Sequence, residues 1–230
     1  MSGHSKWATT KRQKAIVDKK RGNIFTKLTH NISLAAKRGK DPEMNSALRA
    51  AIDVARGANM PKENIERAVL KGAGELPGQQ VEEITYEGYG PNGVAIVIQC
   101  VTDNRNRSAS FVKSTLTKFN GSLGGPNSVG YMFKQRGVIR IENADNNKQL
   151  VAIDAGAEDV IEEENGLTIY TTPGDLNIIK KKLGAVDYAS LDMIASTKVK
   201  LDQAGHEKID RLIEALEESD DVNDVYTNAE

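Results

Sequence analysis

Apolar positions recur every three to four residues through the first third of the chain and every second residue after it. Ile24, Leu28, Ile32 and Ala36 fall at a spacing of four, flanked by Phe25 and Ala35, which predicts an amphipathic helix. Lys37-Arg38-Gly39 closes it, with cations at the negative helix end and a glycine cap. Asp41-Pro42-Glu43 predicts a restart, with an acid as cap and proline at the first helical position. Leu48, Ala51, Ile52 and Ala55 would line that helix. Asn59-Met60-Pro61 opens another, with Ile65, Ala68 and Val69 inward and Gly72 as its stop. Upstream, Lys6 to Lys20 predicts a helix with only Trp7, Ala8, Ala15 and Ile16 as an apolar stripe.

The stretch Gly72–Gln80, GAGELPGQQ, is a linker, and beyond it the period falls to two. Ile84 and Tyr86 mark a strand, GYGPNG turns it, and Val94–Val101 follows as a buried strand. Asp103-Asn104 caps a helix from Arg105 to Phe119, ended by Asn120-Gly121. SLGGPNS is a loop, Val129, Tyr131 and Phe133 alternate as a strand, and Arg136-Gly137 turns it. Residues 138–197 then read strand, helix, strand, strand, helix, strand, the β-α-β-β-α-β order of ferredoxin-like units. A final helix (His206–Glu218) and strand (Val222–Tyr226) remain. The expected fold is α+β, with an N-terminal helical bundle and two α/β domains. The expected domains are 1–78, then 79–137 joined by the returning 199–230, with 138–198 inserted.

Charge changes this picture most. The net charge of the 230 residues is −1, yet residues 1–72 carry +10 and residues 73–230 carry −11. The first 40 residues hold eleven basic side chains and a single acid, Asp18. A basic module on an acidic body points to a polyanion-binding end. Lys6, Lys11, Arg12, Lys14, Lys19, Lys20, Arg21 and Lys27 spread around the helix and the turn after it, which suits backbone phosphate better than base edges. Trp7 adds an aromatic face for stacking, or a core anchor for a thin helix. Arg105 and Arg107, in TDNRNR, oppose the dipole of the helix they open, so they should face phosphate or an acidic neighbour.

Other chemistry is thin. GYGPNG satisfies G-x-G-x-x-G but runs into the strand VAIVIQCV, whereas a dinucleotide loop opens a helix. His4, His30 and His206 show no triad or metal spacing, and His30 reads as a solvated or packed histidine. Cys100, the only cysteine, excludes an internal disulfide and a zinc cluster and reads as a small buried hydrophobe. Two acidic clusters, Glu158–Glu164 and Glu217–Asp221, lack a nearby base or phosphate loop and read as an exposed strand edge and a helix end. No apolar run spans a membrane and no secretory signal is present, so a cytoplasmic, non-enzymatic protein is expected, without cofactor, metal or small-molecule substrate.

The blocks GHSKW, KRGNIFTKL, ANMPKENIERA, YEGYGPNGVA and TDNRNR, in this order, resemble the YebC/PmpR family. The resemblance implies three domains, a helical one and two α/β ones, and no catalysis. It implies a DNA-binding transcriptional regulator, or alternatively a translation factor on the ribosome that contacts ribosomal RNA and eases synthesis of proline-rich stretches. Mitochondrial relatives activate translation of a cytochrome oxidase subunit. By this resemblance, the nucleic-acid-binding positions are Lys6, Trp7, Lys11, Arg12, Lys14, Lys20, Arg21 and Lys27, with Arg105 and Arg107 second.

Overall fold

The structure, a computed structural model, describes residues 21–78, 80–163 and 165–230. Among the described residues three helices come first: α1 (Arg21–Ala36), α2 (Ser46–Gly57) and α3 (Lys62–Gly72). Their apolar stripes meet in a core of Ile32, Ala36, Leu48, Ile52, Ala55, Met60, Ile65 and Ala68, with Phe25 and Leu28 packed against it. Gly72 lets α3 close on α1, because a side chain there would strike the Ser33 carbonyl and the Ala36 methyl. Ser33 donates its hydroxyl to the Ala68 carbonyl at 2.8 Å across the same contact.

The start of α2 differs from the expected one. Asp41-Pro42-Glu43 forms a turn, in which Asp41 Oδ1 accepts the Glu43 N–H, and the helix begins at Ser46. Asn45 is its cap: its side-chain oxygen accepts from Leu48 N, while its amide donates to the Ala35 and Gly39 carbonyls. One side chain thus finishes α1 and starts α2.

Two four-stranded antiparallel sheets follow. The first contains β1 (Glu82–Tyr89), β2 (Ala95–Thr102), β3 (Ser122–Leu123) and β8 (Val222–Thr227), in the order β3-β1-β2-β8. Helices α4 (Arg105–Lys118) and α7 (Gln203–Glu217) cover one face of it. The second contains β4 (Phe133–Glu142), β5 (Asp159–Glu163), β6 (Gly166–Thr171) and β7 (Tyr188–Ala195), in the order β5-β6-β4-β7, under α5 (Asn146–Asp154) and α6 (Leu176–Leu183). That is the strand order of a ferredoxin-like unit. The first sheet has the same spatial plan, with β1 in the place the ferredoxin-like order gives to its third strand.

GYGPNG is a hairpin connection: β1 and β2 pair antiparallel from Glu82↔Thr102 to Tyr89↔Ala95. Pro91–Gly93 makes a single 3₁₀ turn between them, with Asn92 at φ 62°. Two local expectations are corrected. Ser122–Leu123, read as loop, is a short edge strand on β1. Val129–Phe133, read as a strand ended by a turn at Arg136-Gly137, is a 3₁₀ turn leading into one continuous β4, with Arg136 and Gly137 in its interior. The alternation there is real, but Gly137 lies where a side chain would strike Thr171 and Leu176, so its glycine serves close packing rather than a turn.

The sheets meet through Ala95, Val97 and Tyr226 of the first against Phe133, Met132 and Met193. No helix of the described residues is long and apolar enough to cross a membrane.

Candidate nucleic-acid interface

Lys6, Trp7, Lys11, Arg12, Lys14 and Lys20 lie outside the described residues. Arg21 is the first residue of α1. Lys27, Arg105 and Arg107 are fully described; Lys27 and Arg107 lie near the seam between the helical module and the first sheet, and Arg105 faces Glu82 on β1.

The sequence places three polar residues on one stripe of α1, Lys27, His30 and Asn31, at spacings of three and four. The opposite stripe, Leu28 and Ile32, serves the module's core, so the polar stripe faces the α/β body. Lys27 Nζ donates to the carbonyl of Glu217 at 3.2 Å, on the last residue of α7. An ammonium suits that position, because the last carbonyls of a helix lack intrahelical donors and carry partial negative charge. Asn31 Oδ1 accepts from Asn223 Nδ2 at 2.9 Å. His30 is buried between them, only 7% exposed.

Arg107 resolves the dipole conflict noted in the sequence. Its Nη2 donates to Asp221 Oδ1 at 2.8 Å and Oδ2 at 3.0 Å, and its Nε to Oδ2 at 3.1 Å. A further bond runs from Nη2 to Asp103 Oδ1 at 3.1 Å. Asp103 Oδ2 also faces Lys71 Nζ, from the last turn of α3, at 3.6 Å. The result is a chain of charges, Lys71–Asp103–Arg107–Asp221, that crosses from the helical module to the body. Asp221 hydrogen bonds hold the Arg107 guanidinium above its ordinary range. Burial works to raise the Asp103 carboxyl, but Arg107 and Lys71 outweigh it and keep the group low. Arg105 differs: its side chain is 66% exposed and approaches Glu82 at 3.7 Å. Of the two arginines, Arg105 is the more exposed and has the looser carboxylate contact.

Asp221, His30, Lys71 and Asp103 were not singled out as a group by sequence. Asp221 was read within an exposed acidic helix end, yet it is 3% exposed and bound to Arg107. The pairing joins residues 114 positions apart, and no local pattern signals that.

Most cations on α2 and α3 are matched by the module's own acids. Arg49 pairs with Glu43 at 2.9 Å, Arg56 with Asp53 at 3.6 Å and Lys62 with Glu66 at 3.5 Å. Lys37, Arg38 and Arg67 are exposed and make no ion pair among the described residues. Lys37 and Arg38 therefore present two exposed cations at the C-terminal end of α1. Among the described residues, no group of His, Cys, Asp and Glu is arranged to hold a metal ion.

The comparisons with known proteins agree with this architecture. Residues 5–75 match the TACO1/YebC protein N-terminal domain, and residues 81–229 match the TACO1/YebC second and third domain. The chain belongs to the TACO1/YebC family. A relative in Shewanella oneidensis is 47% identical over 238 residues, covering 100% of this chain and 96% of its own length. One in Moorella thermoacetica is 49% identical over 243 residues, with the same coverage. Both carry the name probable transcriptional regulatory protein. The crystal structure of a conserved hypothetical protein from Aquifex aeolicus superposes with a TM-score of 0.82 at 43% identity, covering 93% of this chain and 92% of that one. This TACO1/YebC chain thus shares its mixed α/β architecture with a solved relative, and family naming supports a regulatory role.

Proposed function

We propose that this protein is a non-enzymatic, cytoplasmic regulator of gene expression that binds nucleic acid through its basic N-terminal module, reading backbone phosphate rather than base sequence. The carrying observation is the charge division: +10 in residues 1–72 against −11 in the rest. The acidic body repels nucleic acid and so restricts it to one end of the molecule. Lys6, Lys11, Arg12, Lys14, Lys20 and Arg21 supply the main contacts, and Lys37, Arg38 and Arg105 extend them. Lys27, through Glu217, and Lys71, through Asp103, hold the module and the body in register, while Arg107 anchors Asp103 and Asp221 within the body.

The relatives' printed name favours DNA as the target. One observation favours folded RNA, and with it a ribosomal site of action. Three of the five cations of α2 and α3 are paired with the module's own carboxylates, which leaves few of them for reading base edges.

The test is binding measured against salt, with random duplex DNA and ribosomal RNA as probes. Neutralising five or six phosphates gives a log–log slope of about −4 to −5. A slope near zero on both probes overturns the reading. A preference for ribosomal RNA, with co-sedimentation on ribosomal particles lost on Lys11→Glu/Arg12→Glu, assigns the translational role. A preference for promoter over random duplex assigns the transcriptional one.

A further inference from the structure

The seam between α1 and the body contains a group that the proposed function does not use. His30 is buried, and its Nδ1 has no hydrogen-bond partner among the described residues. Around it stand Asp221 from the α7–β8 turn, Asp103 from the β2–α4 loop, Lys71 from α3 and the backbone of Val101 from β2. We propose that His30 is a proton-operated latch: the helical module stays seated on the α/β body while the imidazole is neutral, and lifts away when it is protonated.

The geometry gives the direction. A proton on Nδ1 would create a buried cationic N–H without an acceptor. The two carboxylates attract it from nearby, but their oxygens already face cations. Arg107 occupies both oxygens of Asp221 and Oδ1 of Asp103, and Lys71 faces Oδ2 of Asp103. Burial therefore prevails over attraction, and it holds the seated ring below the ordinary histidine range. A ring released into water returns to its ordinary range near 6.5. The released form thus takes up protons first as pH falls, and proton uptake draws the molecule toward it.

Lifting does not require unfolding. The module keeps its own core, from Phe25 to Val69, and the body keeps the cluster around Ile98, Leu116 and Leu212. The other named seam contacts, Lys27 to Glu217, Asn31 to Asn223 and Lys71 to Asp103, are polar groups that water can replace.

The experiment uses the full chain with spin labels at Arg56→Cys on α2 and Glu207→Cys on α7, both exposed positions. Cys100 is fully buried, so the added thiols are the ones labelled. At about pH 8 one short distance is expected. Below about pH 6.5 a longer population should grow, its ratio to the short one rising by up to about tenfold per pH unit. His30→Gln should keep the short distance at every pH, and His206→Gln should behave as wild type. A single distance in wild type from about pH 8 to about pH 5, or the same opening in His30→Gln, overturns the latch. Should His30→Gln fail to fold, ring nitrogen shifts of the wild type decide. Protonation of His30 confined to the long-distance population supports the latch, and protonation within the short-distance population overturns it.

Discussion

Arg107 grips both carboxylate oxygens of Asp221, its Nη2 at 2.8 and 3.0 Å and its Nε at 3.1 Å, and so ties the start of α4 to the turn before β8. Asp221 is the buried member, with 5% of its side chain exposed against 55% for Arg107. A buried carboxylate left without its partner is costly, whereas half-exposed arginine is partly screened by water. Arg107→Ala should cost about 2 kcal/mol in urea unfolding. The coupling in an Arg107/Asp221 double-mutant cycle should exceed that of the exposed Lys40/Glu75 pair, for which about 0.5 kcal/mol is expected. Equal couplings would show that the bidentate geometry contributes nothing beyond a surface pair.

Glu87 organises the loop between the two sheets. Its Oε1 accepts from Asn127 N at 2.8 Å, and its Oε2 from Val129 N at 2.9 Å and Gly130 N at 2.6 Å. Burial works to raise this carboxyl, but the N–H groups of Val129, Gly130, Asn127 and Ser128 together hold it below its ordinary range. A carboxyl lowered by folding stabilises the folded state above its unfolded value, near 4.3, and that contribution fades as pH falls through the folded value. Wild type should therefore lose stability below about pH 4.3 more steeply than Glu87→Gln. At neutral pH the variant should be less stable by about 1–3 kcal/mol, since an amide turns an N–H toward donors that need an acceptor. Parallel pH dependences would disprove the role given to Glu87.

The thiol of Cys100 lies fully buried on β2, and burial, followed by the charge of Asp221, pushes its pKa up to about 12. It should resist a thiol reagent in the native protein at about pH 8 and react within seconds to minutes once unfolded. Rapid native labelling would mean that β2 opens locally or that the α4–α7 layer is loose.

Lys11 and Arg12 fall in the basic stretch that the sequence marks as polyanion-binding, where solvated side chains are expected. Lys11→Glu with Arg12→Glu should weaken polyanion binding by more than tenfold at low salt, flatten the salt slope and leave the melting temperature nearly unchanged. An unfolded double variant would make the basic face structural and remove the basis of the proposed function.

Much of the fold was legible along the chain, because its elements are marked by local chemistry. The four-residue spacing of Ile24, Leu28, Ile32 and Ala36 needs no tertiary information to specify a helix and its buried face. The apolar run Val94–Val101 and the β-α-β-β-α-β order are likewise written in sequence, as are the hairpin at GYGPNG and the buried Cys100. Where two local signals competed, the sequence misled. Asp41-Pro42 carries a helix-start pattern, but Asn45 can cap α2 and bind the end of α1 at once, and that second contact lies in three dimensions. Arg136-Gly137 looks like a turn, but Gly137 is there because Thr171 and Leu176 crowd it.

The charge division, the family and the expectation of a phosphate-binding module follow from the order of residues alone, since net charge and motif order do not depend on folding. What each cation does depends on the fold. Arg105 and Arg107 sit two positions apart in one motif, yet one is open to solvent and the other is bound to a buried aspartate from the far end of the chain. His30, ordinary in sequence, becomes a buried titratable group only because α1 turns its polar stripe onto Val101, Asp103 and Asp221. Burial and charge pairing over 114 positions are properties of packing, and no window of sequence contains both partners.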